Sequence, residues 1–281
     1  MVAALFGAAF LFMRVAAPEF GAIPLIAVRL VLAALILVPI ILARKGMQEI
    51  VDHWQPITMM AVLHYALPFC LFAYALLTLT GSFTAIVNAS SPLFAGVVAW
   101  IWIGERLPKI RIAGLLIGFS GVVLLVWDKL DVDLSAAGIA SAAAISASFC
   151  YGLAAVLAKK HLTGVSPLAV SAGSMLAGAI MLLPFAVWLW PDTAPSIDAW
   201  IMVTALGVLS TAFAFVLYFR LIASVGPTKA ITVTFLIPAF AVVLGALLLD
   251  EPITFSMLAG AAVILLGTGL STGLLNVSTP D

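Results

Sequence analysis

From Trp54 to Gly104 the chain carries no Asp, Glu, Lys or Arg, and His64 is the one histidine in that interval. A helix needs about 20 apolar residues to cross a hydrocarbon core of about 30 Å. The charge-free stretch holds two such lengths. Charges, prolines and Gly-Ser breaks divide the rest of the sequence the same way, giving ten spans at 2–17, 21–43, 56–78, 82–103, 109–127, 135–158, 167–190, 199–221, 228–249 and 254–275. Only 9% of the residues are charged and 65% are apolar, whereas soluble domains carry about 25% charged residues. Lipid is therefore the natural solvent for most of the chain, and spans of this length in lipid are helices, because each backbone polar group must be paired within its own segment. The sequence predicts an all-α polytopic membrane protein of ten transmembrane helices.

Net charge is zero, from 12 basic and 12 acidic residues, which offers nothing to nucleic acid. Cys70 and Cys150 lie inside apolar runs and read as small buried hydrophobes. The N-terminal stretch lacks the basic region of a signal peptide and is expected to be the first membrane helix.

Lys and Arg are retained on the cytoplasmic side of a membrane. The connections after spans 2, 4, 6 and 8, with the adjoining helix ends, hold Arg44, Lys45, Arg106, Lys109, Arg111, Lys159, Lys160, Arg220 and Lys229, and the opposite face is assigned Arg14, Arg29 and Lys129. Both termini are expected in the cytoplasm. Trp127, Trp188, Trp190 and Trp200 at one set of helix ends, with Trp54, Trp100 and Trp102 at the other, read as interfacial belts.

Sliding the chain by 146 residues aligns VNASSPLFAGV (87–97) with VTFLIPAFAVV (233–243). The same offset pairs Glu105 with Glu251, Gly114 with Gly260 and Gly121 with Gly267. That implies a duplication into units 1–130 and 131–281. Each unit has five spans, an odd number, so the second crosses the membrane in the opposite sense. Inverted repeats of this kind are a recurrent transporter design, with the substrate near the midplane where the halves meet.

These residues resemble the drug/metabolite transporter superfamily in its ten-helix EamA branch. The resemblance covers nearly the whole chain. It rests on Tyr74-Ala-Leu, Pro92, Gly104-Glu105, Gly114 and Gly121 in the first half, and on Gly226-Pro227-Thr228-Lys229-Ala230, Pro238, Asp250-Glu251-Pro252, Gly260 and Gly267 in the second. The Trp-Gly often found in helix 1 of the family stands here as Phe6-Gly7. The resemblance implies an exporter of amino acids, including aromatic ones, or of other small metabolites.

The polar centre of the fourth span, NASSPLF at 88–94, is the first candidate site. Pro92 falls about 15 Å deep at 1.5 Å per residue. It frees the carbonyl of residue 88, which is tolerated where protein or a water-filled cavity accepts it. Asn88 and Ser91 share a face with Pro92 and are candidates for touching substrate. Their alternative role is to bind neighbouring helices or the released backbone. His64 sits within the third span and is either a functional titrating group or a neutral bundle histidine. Tyr65 and Tyr151 offer ring faces and hydroxyls, and Thr232 and Thr234 are the polar residues before Pro238. Helices 3, 4, 6, 8 and 9 are the expected cavity lining, with Pro92 and Pro238 as flexible points. Glu105 and Glu251 end repeat-related helices on opposite faces, either as interfacial caps or as gate elements.

No Asp or Glu falls at central depth, so coupling to sodium or protons is not expected unless His64 carries the proton. The missing countercharge favours a neutral or zwitterionic solute. No metal cluster, phosphate loop or nucleophile constellation is present, so neither cofactor nor catalysis is expected. The reading is an inner-membrane exporter of small metabolites, amino acids first, by facilitation or exchange. Its partners are the solute and the bilayer, and the pattern is compatible with a monomer. The alternatives are a quaternary amine or multidrug effluxer and a membrane-embedded enzyme on lipid-linked substrates.

Overall fold

A computed structural model describes residues 1–127, 136–226 and 230–274, with the backbone alone for Ile231 and Thr232. Expectations placed on Lys129, Pro227, Thr228, Lys229 and the side chain of Thr232 fall outside these residues. All described elements are helical. The spanning helices are α1 (Val2–Phe20), α2 (Ala22–Ala43), α3 (Trp54–Ala75), α4 (Gly81–Ile103), α5 (Lys109–Val126), α6 (Ala136–His161), α7 (Pro167–Trp188) and α8 (Ile197–Val225). They are followed by α9 (Ile237–Leu249), which a 3-10 turn over Ile231–Leu236 precedes, and by α10 (Phe255–Thr272). Nine are long and apolar enough to cross a bilayer, and the region of α9 supplies a shorter apolar helix, Val233–Leu249. The protein is an all-helical, multi-pass membrane protein.

Local chemistry sets the ends. Thr80, Ser166, Ser196 and Thr254 each accept a hydrogen bond from the backbone N–H three residues on, at the starts of α4, α7, α8 and α10. At the far ends of α4 and α9 the chain turns through a left-handed residue, Gly104 (φ 66°) and Asp250 (φ 51°). The N–H of the next residue then reaches back to the carbonyl six before it, Glu105 to Ala99 at 3.2 Å and Glu251 to Gly245 at 3.1 Å. The two turns are repeat mates at the 146-residue offset.

Packing repeats the relation to within one residue, since Gly7 and Gly152 are 145 residues apart and Phe94 and Phe240 are 146 apart. A Cβ on Gly7 of α1 would sit 2.9 Å from Phe240 and 3.0 Å from Ala241, while one on Gly152 of α6 would sit 2.7 Å from Ala95 and 2.8 Å from Phe94. Helices α5 and α10 cross antiparallel on glycine: Gly114 lies against Gly267 and Ser271, and Gly121 against Ile264 and Gly260. Shifted by 146 residues, the Gly114–Gly267 contact becomes the Gly260–Gly121 contact. A twofold relation between antiparallel helices has its axis across them, hence in the plane of a membrane. Such close approach is how helices associate in lipid, where apolar side chains gain nothing by leaving hydrocarbon.

The outer surface is apolar, with Ile101, Leu116, Trp188 and Leu247 among its exposed side chains. A soluble monomer would not carry so continuous an apolar exterior.

A central cavity and its two ends

Between the helices lies a cavity of about 550 Å³, within the ~300–1,000 Å³ range of small-molecule sites. One end carries Glu105, Arg111 and Lys159, and the walls run inward to Met13 and Arg29. At that mouth Glu105 accepts from Lys159 at 2.7 Å and lies 3.5 Å from Arg111. The hydrogen bond from Lys159, with the charges of Lys159 and Arg111, holds the Glu105 carboxyl below the ordinary carboxylate range.

The opposite end is shut. Glu251, 8% exposed, accepts from the N–H groups of Gly81 at 2.7 Å and Ser82 at 2.9 Å, and from the Ser82 hydroxyl at 2.5 Å. Its charge thus sits on the N-terminus of α4, where unpaired amides and the helix dipole favour an anion. At the same end Arg14 donates to the Leu76 carbonyl, and Glu19 accepts from the Ser196 N–H and hydroxyl.

The polar centre of α4 is a break in the helix. Segments Gly81–Asn88 and Ser91–Ile103 meet at Ala89 and Ser90. The carbonyls freed there are all taken: Asn88 O by the Ser91 hydroxyl at 2.6 Å, Val87 O by Ser90 at 2.6 Å and Ser148 at 3.2 Å, and Ala89 O by Thr268 at 3.4 Å. Asn88, Ser91 and Pro92 also line the cavity. Ser90 does not, being fully buried.

His64, Tyr151 and Thr234 lie on the cavity wall. His64 belongs to a π-helical turn, Ala61–Ala66, within α3, a distortion often found at functional sites. Its ring is 4.9 Å from that of Tyr151, and its buried Nδ1 has no partner among the described residues. Tyr65 stands behind the wall, 2% exposed, its hydroxyl donating to Ser171 at 3.1 Å. Pro238 is buried in α9, and Glu251 is at the closed end. Of the sequence-derived candidates the structure therefore brings His64, Asn88, Ser91, Pro92, Tyr151 and Thr234 to one cavity, with Glu105 at its mouth.

Two features were missed. Helix α1 forms a wall, through Phe6, Ala9, Phe10 and Met13. Arg29, assigned from the sequence to an outer membrane face, lies inside the bundle, 4% exposed and on the cavity. Its Nε donates to Thr211 Oγ1 at 2.9 Å, its Nη1 is 3.4 Å from Met13 Sδ, and its guanidinium stacks 3.6 Å above the Phe69 ring. No carboxylate pairs with it among the described residues. The signal was available: Arg29 is seven residues into α2, about 10 Å deep, the depth argument that singled out His64. Among the described residues no three His, Cys, Asp or Glu side chains gather to hold a metal.

A bundle of membrane-spanning helices around an aromatic-walled cavity, open at one end and clasped at the other, has the architecture of a small-molecule carrier. The sequence matches the EamA-like transporter family over residues 1–127 and 138–273, and the chain belongs to that family. It is similar to the uncharacterized transporter YvbV of Bacillus subtilis, 29% identical over 84% of this chain and 78% of that one. It is also similar to an uncharacterized transporter of Archaeoglobus fulgidus, 24% identical over 94% of this chain and 92% of that one. A solved crystal structure at 20% identity shares the fold with a TM-score of 0.64 over 98% of both chains.

Proposed function

We propose that this transporter carries small amphipathic metabolites out of the cell by alternating access, as a facilitator or exchanger, with large neutral and aromatic amino acids as the first class to examine. The observation that carries this reading is the central cavity of about 550 Å³, walled by Phe6, Phe10, Phe72 and Phe215, with the Glu251 clasp at its far end. Phenyl-sized bodies suit such walls. The units 1–130 and 131–281 are the two bodies that would rock. Positive charge at the mouth, from Arg111 and Lys159, supports a cytoplasmic mouth with both termini on that side.

A quaternary amine effluxer would require an anionic group deep in the cavity. The one carboxylate on the described wall, Glu105, is at the mouth and already paired, and the deep charge is Arg29. An enzyme on lipid-linked substrates gains no support from relatives named as transporters.

Counterflow in proteoliposomes tests the proposal. Vesicles preloaded with unlabelled amino acids, organic acids, nucleosides, sugars or cationic dyes are assayed for entry of the labelled solute, with and without a pH gradient. Exchange of phenyl- or indole-bearing metabolites, indifferent to the gradient, is expected. Exchange of dyes alone, or an absolute need for the gradient, would overturn it.

A further inference from the structure

Arg29 is the most costly side chain in the bundle to explain structurally. A buried cation with no anion partner is strongly unfavourable, and in membrane proteins such groups mark substrate pathways. The guanidinium has five N–H donors. Nε is used by Thr211, Nη1 has a weak sulfur acceptor, and no described hydrogen bond uses Nη2. Donors are therefore left over, and they are left on a cavity wall. Nearby the His64 Nδ1 is also unpaired. A chain of ring contacts joins the two groups, from His64 through Tyr65 at 4.8 Å to Phe69 at 5.7 Å, the ring beneath Arg29.

Resting on the transport reading above, we propose that Arg29 anchors the carboxylate of the solute, and that the preferred solute is an organic monoanion with an aromatic-sized apolar body. Arginine binds carboxylates through two parallel N–H···O bonds, and more strongly where water is excluded. The walls around it are rings, so a small inorganic anion would leave apolar surface wet. A substrate ammonium finds little: Glu105 is engaged by Lys159, and the freed carbonyls of α4 are taken by hydroxyls. The amino group of an amino acid thus adds desolvation without a partner, and its deaminated counterpart binds at least as well.

Three probes share one frame and differ only in charge: 3-phenylpropionate (carboxylate alone), L-phenylalanine (carboxylate and ammonium) and 2-phenylethylamine (ammonium alone). Binding to the purified protein in detergent is read as ligand-induced thermal stabilisation, which follows the ratio of ligand concentration to Kd. The expected order is 3-phenylpropionate at or above L-phenylalanine, and no stabilisation by 2-phenylethylamine. Arg29→Gln weakens 3-phenylpropionate roughly 10- to 100-fold, the loss of a charge-assisted pair, and Arg29→Lys recovers part of it. Stabilisation by the amine above the acid in the wild-type protein, or by none of the three, overturns the proposal without recourse to any variant. So does unchanged 3-phenylpropionate binding in a folded Arg29→Gln protein. Transport of other solutes in the counterflow panel would leave the broader carrier reading standing in each case, whereas binding of 3-phenylpropionate without any counterflow would sink that reading alone.

Discussion

Two glutamates at equivalent positions meet different fates, and the difference describes the state of the protein. Glu251 is withdrawn from solvent onto the backbone of Gly81 and Ser82, while Glu105 stays at the surface between Lys159 and Arg111. Hydrogen bonds to a buried carboxylate contribute about 1.5–3 kcal/mol. Glu251→Gln turns one acceptor oxygen into an NH2 that faces N–H donors, so this variant is expected to lose that much of the clasp while remaining folded. Unchanged thermal stability and unchanged transport in the variant would remove the clasp from the mechanism. Glu105 makes a pH prediction. Its folded pKa lies below the unfolded one, so the mouth ion pair is fully present above the ordinary carboxylate range, about pH 4.3, and is lost as pH falls through the lowered value. Transport between about pH 5.5 and 8 should therefore show no step that Glu105→Gln abolishes. Arg29 shows where residue-level reading of the sequence failed. Counting Lys and Arg for orientation presumes that each sits at an interface, and the depth of Arg29, seven residues into α2, contradicts that presumption. Its partners Thr211, Met13 and Phe69 come from three other helices.

Most helices were legible because lipid leaves an apolar stretch of about 20 residues one way to satisfy its backbone. The break in α4 was legible through Pro92, and the α9 side through Pro238. What could not be read were the π-helical turns Ala61–Ala66 and Val208–Phe213, which sit 147 residues apart in α3 and α8. A shift from i−4 to i−5 hydrogen bonding leaves no mark on hydrophobic pattern, and the cavity wall it creates at His64 follows from backbone geometry. The α4 break makes the testable statement at this scale. Its carbonyls are held by Ser148 from α6 and Thr268 from α10, so the break is stabilised rather than loose. Pro92→Ala restores an N–H and removes the ring clash that opens the helix. The expected outcome is equal or higher thermal stability with slower counterflow, because the flexible point stiffens. Ser148→Ala should do the reverse for stability, costing about 1 kcal/mol for one lost hydrogen bond. An unaltered counterflow rate in Pro92→Ala would mean that the break serves only to shape the cavity.

At the scale of the molecule, the proposed twofold relation between units 1–130 and 131–281 would build the open and closed ends from the same parts. The two halves of the α5–α10 crossing are repeated at 146 residues, and the contacts Gly7–Phe240 and Gly152–Phe94 match to within one residue of that offset. The ends nevertheless differ, so the described state is asymmetric within a symmetric frame. An exchange of the two arrangements is the simplest route to access from the other side. Access can be read with one cysteine. Ala155 is exposed to the cavity, and replacing Cys70 and Cys150 by Ala leaves Ala155→Cys as the sole thiol. A membrane-impermeant maleimide should label it quickly from the Glu105 face and slowly from the opposite face. Adding Glu251→Gln removes about 1.5–3 kcal/mol from the closed end, which shifts the ratio of the two states by roughly 10- to 100-fold, since each 1.4 kcal/mol is a factor of ten. Labelling from the far face should rise, and labelling from the Glu105 face should fall in step, because one cavity serves both sides. A rise at the far face with no fall at the near one would describe a leak through both ends at once. That result would replace alternating access with a channel.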